Sequence, residues 1–244
     1  MPTREGIELL AHAVRPANAY EETVQRLLQS VRLGLIMPGD RLPSERDLSA
    51  MLGVSRDTLR DAISTLAEAG YVVSRRGRYG GTFVQDELPV PDRSSGAGAG
   101  SPVDDAEVDD VTILRRIVEV GAAREAADRE LPAAARASLA SALEDCGSAS
   151  LADYRRLDSR LHLTIAEVSG APSLVPVAAN ARTRLNALLD SIPVLAPNIE
   201  HSNQQHERIV AAILSGRSDE AAAAMNEHIA GSEALLRGFL TDSL

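Results

Sequence analysis

The chain has 244 residues, 44% of them hydrophobic, enough to bury one large core or two modest ones, which excludes a disordered chain. Its single cysteine, Cys146, excludes an internal disulfide and a cysteine-rich zinc site, and with no bilayer-length apolar run and no signal-peptide core in "MPTREGIELL" a soluble cytoplasmic protein without a membrane partner is expected. The net charge of −10 argues against nucleic-acid binding by bulk attraction, yet residues 1–90 are near neutral and residues 71–85 carry Arg75, Arg76 and Arg78 with no acid.

The hydrophobic residues are mostly Ala, Leu and Val, and Trp is absent, so a mainly α fold is predicted. Residues 1–16 read as a loosely attached tip in which "IELLAHAV" supports at most a short helix. "AYEETVQRLLQSVRLG" sets Val24, Leu27, Leu28 and Val31 on one face and ends at Gly34, which predicts a first helix. After the turn "PGDRLP", Ser44 caps a short second helix that Gly53 ends; Ser55 caps a third, lined by Leu59, Ile63 and Leu66 and stopped at Gly70. "YVVSR" and "GTFVQ" around a glycine turn predict a β-hairpin.

Pro, Gly, Ser and Asp then cluster in "LPVPDRSSGAGAGSPVDD", residues 88–105, a composition too poor in apolar residues to order itself, hence a flexible linker. It divides an N-terminal domain, 1–87 with its core at 18–85, from a C-terminal one at 106–244. The latter reads as helices near 107–130, 132–146, 150–169, 171–191, 200–215 and 218–240, an antiparallel bundle of about six helices.

Short helix, tight turn, second helix and hairpin is the layout of a winged helix-turn-helix, whose second helix enters the major groove of double-stranded DNA. Arg56 and Arg60 lie one turn apart opposite the apolar side of that helix, with Thr58 near its N-terminus; the planar arginine fork suits both guanine and phosphate. Arg46 can brace a phosphate, and Arg76, Gly77 and Arg78 form a wing tip able to approach the backbone closely.

In the second domain Asp158 and His162 sit at i and i+4 beside the stripe of Leu157, Leu161, Ile165 and Val168, so both lie on one helix face. His206 begins the stripe of Ile209, Val210 and Ile213, and His228 falls on the inward side with Met225 and Leu235. A single inward histidine is an ordinary hydrogen-bonded core residue, and one Asp–His pair an ordinary local salt bridge. Three inward imidazoles and a carboxylate from three helices cost on the order of a few kcal/mol per uncompensated group, and a divalent metal supplies the compensation. Nitrogen-rich ligation with one carboxylate suits Zn first, with Ni, Mn, Fe or Co as alternatives, and four protein ligands on a six-coordinate ion would leave two positions open. His12 and His201 fit no such set. A carboxylate effector on the ion would need a cation for its remaining oxygens; Arg115 and Arg116 on the first helix of the bundle are the candidates, with Asn180 and Arg184 on the fourth helix behind them.

"MPGDRLPSERDLSAMLGVSRDTLRDAISTLAEAGYV" followed by "RRGRYGGTFV" resembles the DNA-binding domain of the GntR family of bacterial transcription regulators. The resemblance implies DNA-contacting places for Arg46, Arg56, Thr58, Arg60 and Gly77, while Asp57 stands where Pro or Thr is often found. "LRRIVEVGAAREAA", "RLDSRLHLTIAEVSGAPSL" and "HERIVAAILSGRSDEAAAAMNEHI" resemble the FCD effector-binding domain of the FadR subfamily. That resemblance implies metal-ligand places for Asp158, His162, His206 and His228, an acid-binding arginine in the region of Arg115, and effectors such as lactate and other hydroxy or dicarboxylic acids, and it argues against a fatty acyl ligand.

The expectation is therefore a homodimeric transcription regulator, in family terms a repressor and not an enzyme, that binds a palindromic operator under control of a small acid held at a divalent metal. Two competing readings are a purely structural metal with no effector, and a helical-bundle metalloenzyme; the latter lacks an evident additional general base and gives the DNA-binding half no role.

Overall fold

The computed structural model describes residues 19–77, 80–89, 105–190 and 196–240. The readings for residues 1–16, for His12, for Arg78 and for nearly all of the 88–105 linker fall outside them. Two compact units meet in sequence at about residue 95, and among the described residues there are nine helices and a two-stranded sheet.

In the first unit, α1 (Ala19–Arg32), α2 (Glu45–Leu52) and α3 (Arg56–Glu68) precede the antiparallel pair β1 (Val72–Arg75) and β2 (Gly81–Val84). Ser44 and Ser55 are the N-caps, their hydroxyls accepting from the backbone N–H of Asp47 and Thr58 at 3.3 and 3.0 Å, so each helix start satisfies an otherwise orphaned donor. Gly53 ends α2 at φ 68°, a left-handed conformation that costs a side-chain-bearing residue about 1–2 kcal/mol and permits the sharp turn into α3. Leu27, Val31, Ile36, Leu48, Leu52, Leu59, Ile63, Leu66, Val72 and Val84 form one buried cluster, so all three helices and both strands share a core. Arg41 bridges to Phe83, and Leu42 N–H donates to the Thr82 carbonyl at 2.8 Å, which ties the chain before α2 to the hairpin as a third edge.

The second unit consists of α4 (Asp105–Asp128), α5 (Ala133–Gly147), α6 (Tyr154–Val168), α7 (Leu174–Leu189), α8 (Ala196–Leu214) and α9 (Ser218–Leu240). Helix α4 touches α6, α7, α8 and α9. Its buried Ala122, Ala123, Ala126 and Ala127 let those neighbours approach closely. Helix α6 is buried on almost every side, beyond the single stripe its sequence shows, and its polar residues are accommodated locally: Ser159 and Thr164 donate to the carbonyls of Arg155 and Arg160 at 2.8 and 2.9 Å. Helix α8 begins at Ala196, four residues before the sequence reading, because a proline is compatible with the first turn of a helix, where its missing N–H is an orphan anyway. No helix among the described residues is long and apolar enough to cross a membrane.

Candidate metal centre

Helices α6, α8 and α9 bring Asp158, His162, His206 and His228 together, with one ligand atom from each within 4.8 Å of all the others. All four side chains are buried. Their ring centroids stand 4.5–5.4 Å apart in pairs, in tilted or edge-on arrangements and not as a parallel stack. Asp158 Oδ1 is the hub, 3.3 Å from His206 Nε2 and 3.8 Å from His162 Nε2.

The outward nitrogens of the three rings each have a different neighbour. His162 Nδ1 lies 3.0 Å from Glu119 Oε2, although off the line of a good hydrogen bond; His206 Nδ1 lies 3.9 Å from the Cys146 thiol; His228 Nδ1 is 3.0 Å from Gln205 Oε1. Such outer partners leave Nε2 as the lone-pair nitrogen and orient the ring, the arrangement usual around a ligating histidine. The Nε2 atoms of His162 and His206 have no hydrogen-bond partner despite complete burial, which would cost about 1–3 kcal/mol apiece if nothing met them. A divalent cation would meet them, since metal–nitrogen and metal–oxygen bonds of about 2.0–2.2 Å place ligand atoms a few ångströms apart. The donor set therefore fits the group.

Around the cluster the charges are paired. Arg182, fully buried on α7, donates to Asp158 Oδ2, which leaves Oδ1 for the cluster. Arg115 reaches both oxygens of Glu119, at 3.1 and 3.2 Å, and donates to Ser232 Oγ at 2.8 Å. Burial opposes the Glu119 charge, but Arg115, then His162 and Arg182, hold its carboxyl well below the usual carboxylate range. Burial lowers the Arg182 guanidinium to about 10, still cationic near neutrality. Burial, and then the neighbouring imidazoles and arginines, keep His206 and His228 well below their ordinary value, so both are neutral and able to donate a lone pair. Burial pushes the Cys146 thiol up to about 12, so it stays protonated near neutrality.

A pocket of about 150 Å³ opens beside the cluster, lined among others by Arg115, Tyr154, Asp158, Arg182, Gln205 and His228. The Arg182 Nε–H is buried there with no hydrogen-bond partner, and the Tyr154 hydroxyl lies beside Ser202. Arg116 and Asn180 are not brought to this site. Arg116 is half exposed and pairs with Glu233 at 2.7 Å, because the residue after an inward-pointing Arg115 must turn away from the same face, and Asn180 is exposed on α7. Arg184 pairs with Asp110 at 2.7 Å on the surface. Sequence reasoning missed Glu119, Arg182, Gln205 and Tyr154; the signal for Arg182 was its place on the stripe of Ala178 and Leu185, and for Glu119 its i+4 spacing from Arg115.

In the first unit Arg46, Arg56, Arg60 and Arg76 are exposed, and Thr58 is half buried with its hydroxyl 2.8 Å from Ser55 Oγ. Arg60 is held by Glu45 at 2.8 Å and Asp57 at 3.5 Å, and Arg46 by Asp47 at 3.1 Å. Gly77 takes φ 112° at the wing.

Comparison with known proteins gives the same two halves. Residues 19–84 match the bacterial regulatory proteins of the gntR family, and residues 110–231 match the FCD domain. RmpR of Mycobacterium gastri, named as an HTH-type transcriptional regulator, is 32% identical over 84% of this chain and 76% of its own length. The chain belongs to the GntR family. It is accordingly a DNA-binding transcription regulator of the FCD type and not an enzyme. A relative from Escherichia coli K12, named for the L-lactate dehydrogenase operon, is 29% identical over 94% of this chain and 90% of its own length. The structure of Escherichia coli McbR/YncC shares the fold, with a TM-score of 0.55 at 18% identity over 91% of this chain and 98% of that one.

Proposed function

We propose that this GntR-family regulator binds a divalent metal, Zn first among the candidates, through Asp158, His162, His206 and His228, and reads a small organic acid at that centre. The observation that carries the reading is the convergence of two unpartnered, buried Nε2 atoms on one carboxylate oxygen, with every Nδ1 turned outward to a second residue. Held six-coordinate by these four residues, the ion would offer two further positions to an acid's oxygens.

The protein's own residues do the rest. Arg115 and Arg182 line the pocket, their charges already met by Glu119 and Asp158, and the partner-free Arg182 Nε–H is a donor for an acid's oxygen. The Tyr154 hydroxyl, beside Ser202 at the pocket wall, offers a hydrogen bond to a hydroxyl on the acid, which favours hydroxy acids over plain ones. A volume of about 150 Å³ suits an acid of lactate's size. The naming of a relative for the L-lactate dehydrogenase operon supports the same class. Ile113 and Ile117, one turn apart on α4 and 54% and 70% exposed, support a homodimer with a second copy covering them.

Two copies would present two winged helices to a palindromic operator, with Arg46, Arg56, Thr58, Arg60, Arg76 and Gly77 at the DNA. Arg60 must exchange Glu45 and Asp57 for phosphate or base on binding. The acid relieves repression by preferring the protein conformation that binds DNA poorly.

Elemental analysis of the gently purified full chain tests the metal reading. About one divalent ion per chain is expected, lost in the Asp158→Ala, His206→Ala double variant. A wild-type protein without metal would overturn it.

A further inference from the structure

Gln205 on α8 stands between the cluster and the pocket. It is 3% exposed, lines the pocket, and engages a histidine with each end of its amide: Oε1 lies 3.0 Å from His228 Nδ1, and Nε2 lies 3.2 Å from His201 Nε2. An amide oxygen has no hydrogen to give, so His228 Nδ1 carries the proton and donates it; the amide nitrogen has no lone pair to offer, so His201 Nε2 accepts. The first bond fixes the His228 tautomer that keeps the lone pair on Nε2. The second fixes which way the amide faces, since a reversed Gln205 would set an N–H against Nδ1–H and favour the wrong tautomer.

We propose that Gln205 is a positioning residue for the metal centre, holding His228 as a ligand and linking it to the acid pocket. The proposal rests on the metal reading above. Of the three outer partners, Glu119 carries a charge already shared with Arg115, and Cys146 is a weak acceptor at 3.9 Å; Gln205 alone of the three both bonds its ring well and borders the pocket. An acid that draws on the Gln205 amide therefore perturbs a metal ligand directly. His201, unremarkable in the sequence, becomes the residue that orients the link.

Zn(II) affinity of the full chain, measured by competition with a chromophoric chelator, tests this with two variants. Gln205→Met keeps the volume and removes the acceptor, and Gln205→Glu keeps an oxygen opposite Nδ1–H and makes it more basic. The Met variant should bind Zn(II) about tenfold more weakly or worse, and the Glu variant as tightly as wild type or more so. Equal affinity in the Met variant and wild type overturns the proposal, as does equal weakening in both variants, which a packing role would give. Should the Met variant fail to fold, by circular dichroism without metal, the Glu variant decides: weaker binding overturns, equal or tighter binding supports. A wild-type chain that takes up no Zn(II) overturns the metal reading, and this inference with it.

Discussion

Arg182 and Asp158 form a buried ion pair that divides one carboxylate between two tasks: Oδ2 accepts from the guanidinium, and Oδ1 faces His206 Nε2 at 3.3 Å. The pair explains how a cation can lie beside a cation site, since the same aspartate neutralises one and serves the other.

Removing the aspartate should therefore be costly even without metal. Asp158→Ala strands a fully buried guanidinium, and the metal-free variant should lose about 3–5 kcal/mol of unfolding free energy in urea. A loss of about 1 kcal/mol or less, the scale of an exposed ion pair, would contradict the buried pairing.

Acid should destabilise the metal-free protein, beginning near pH 6.5. His206 and His228 are held neutral when folded, chiefly by burial, but regain an ordinary value of 6.5 on unfolding. Below that pH the unfolded chain binds the additional protons, so stability falls as pH falls, by up to about 2.7 kcal/mol per unit for two groups. Glu119, depressed in the folded state, adds to the loss once the pH passes below 4.5. Urea melts of metal-free protein from pH 7.5 to 5.5 check this; unchanged or rising stability on acidification would contradict it.

On DNA the exposed arginines should separate by role. Arg56→Ala, near the N-terminus of α3, should relax discrimination at one base pair by about 1–3 kcal/mol. Arg76→Ala on the wing should weaken all sequences alike and reduce the slope of log affinity against log salt by about 1. Binding titrations at several salt concentrations distinguish the two, and the opposite assignment would follow from exchanged behaviour.

The sequence displayed the helix-turn-helix well because its signals are local: Ser44 and Ser55 cap, Gly53 turns, and Leu59, Ile63 and Leu66 mark one face. It displayed the four clustered residues because three histidines on apolar stripes stand out in a chain with only five. Arg182 was hidden because α7 is rich in alanine, which blurs the boundary between inward and outward faces and let Asn180 and Arg184 pass as equals. Glu119 and Gln205 were hidden for another reason: their partners, His162 and His228, come from other helices, and no spacing within one segment records such a contact. The early start of α8 is not legible in the spacing because Pro197 interrupts the apolar pattern, although a first-turn position tolerates a proline.

The turn of the DNA-binding unit gives a backbone prediction. Gly53→Ala forces a Cβ into the left-handed region at φ 68° and should destabilise this unit by about 1–2 kcal/mol, read as a lowered denaturation midpoint with reduced DNA affinity. An unchanged midpoint would contradict the strain argument.

An ion that presents an acid to the regulator, beyond holding the bundle together, makes acid binding depend on the metal. Calorimetric titration of the full chain with L-lactate, run on Zn(II)-loaded and on metal-stripped protein, tests it most directly. Saturable binding to the loaded protein that disappears on stripping is the predicted result; equal binding in both, or no binding to the loaded protein by lactate or any acid of its size, would contradict the account.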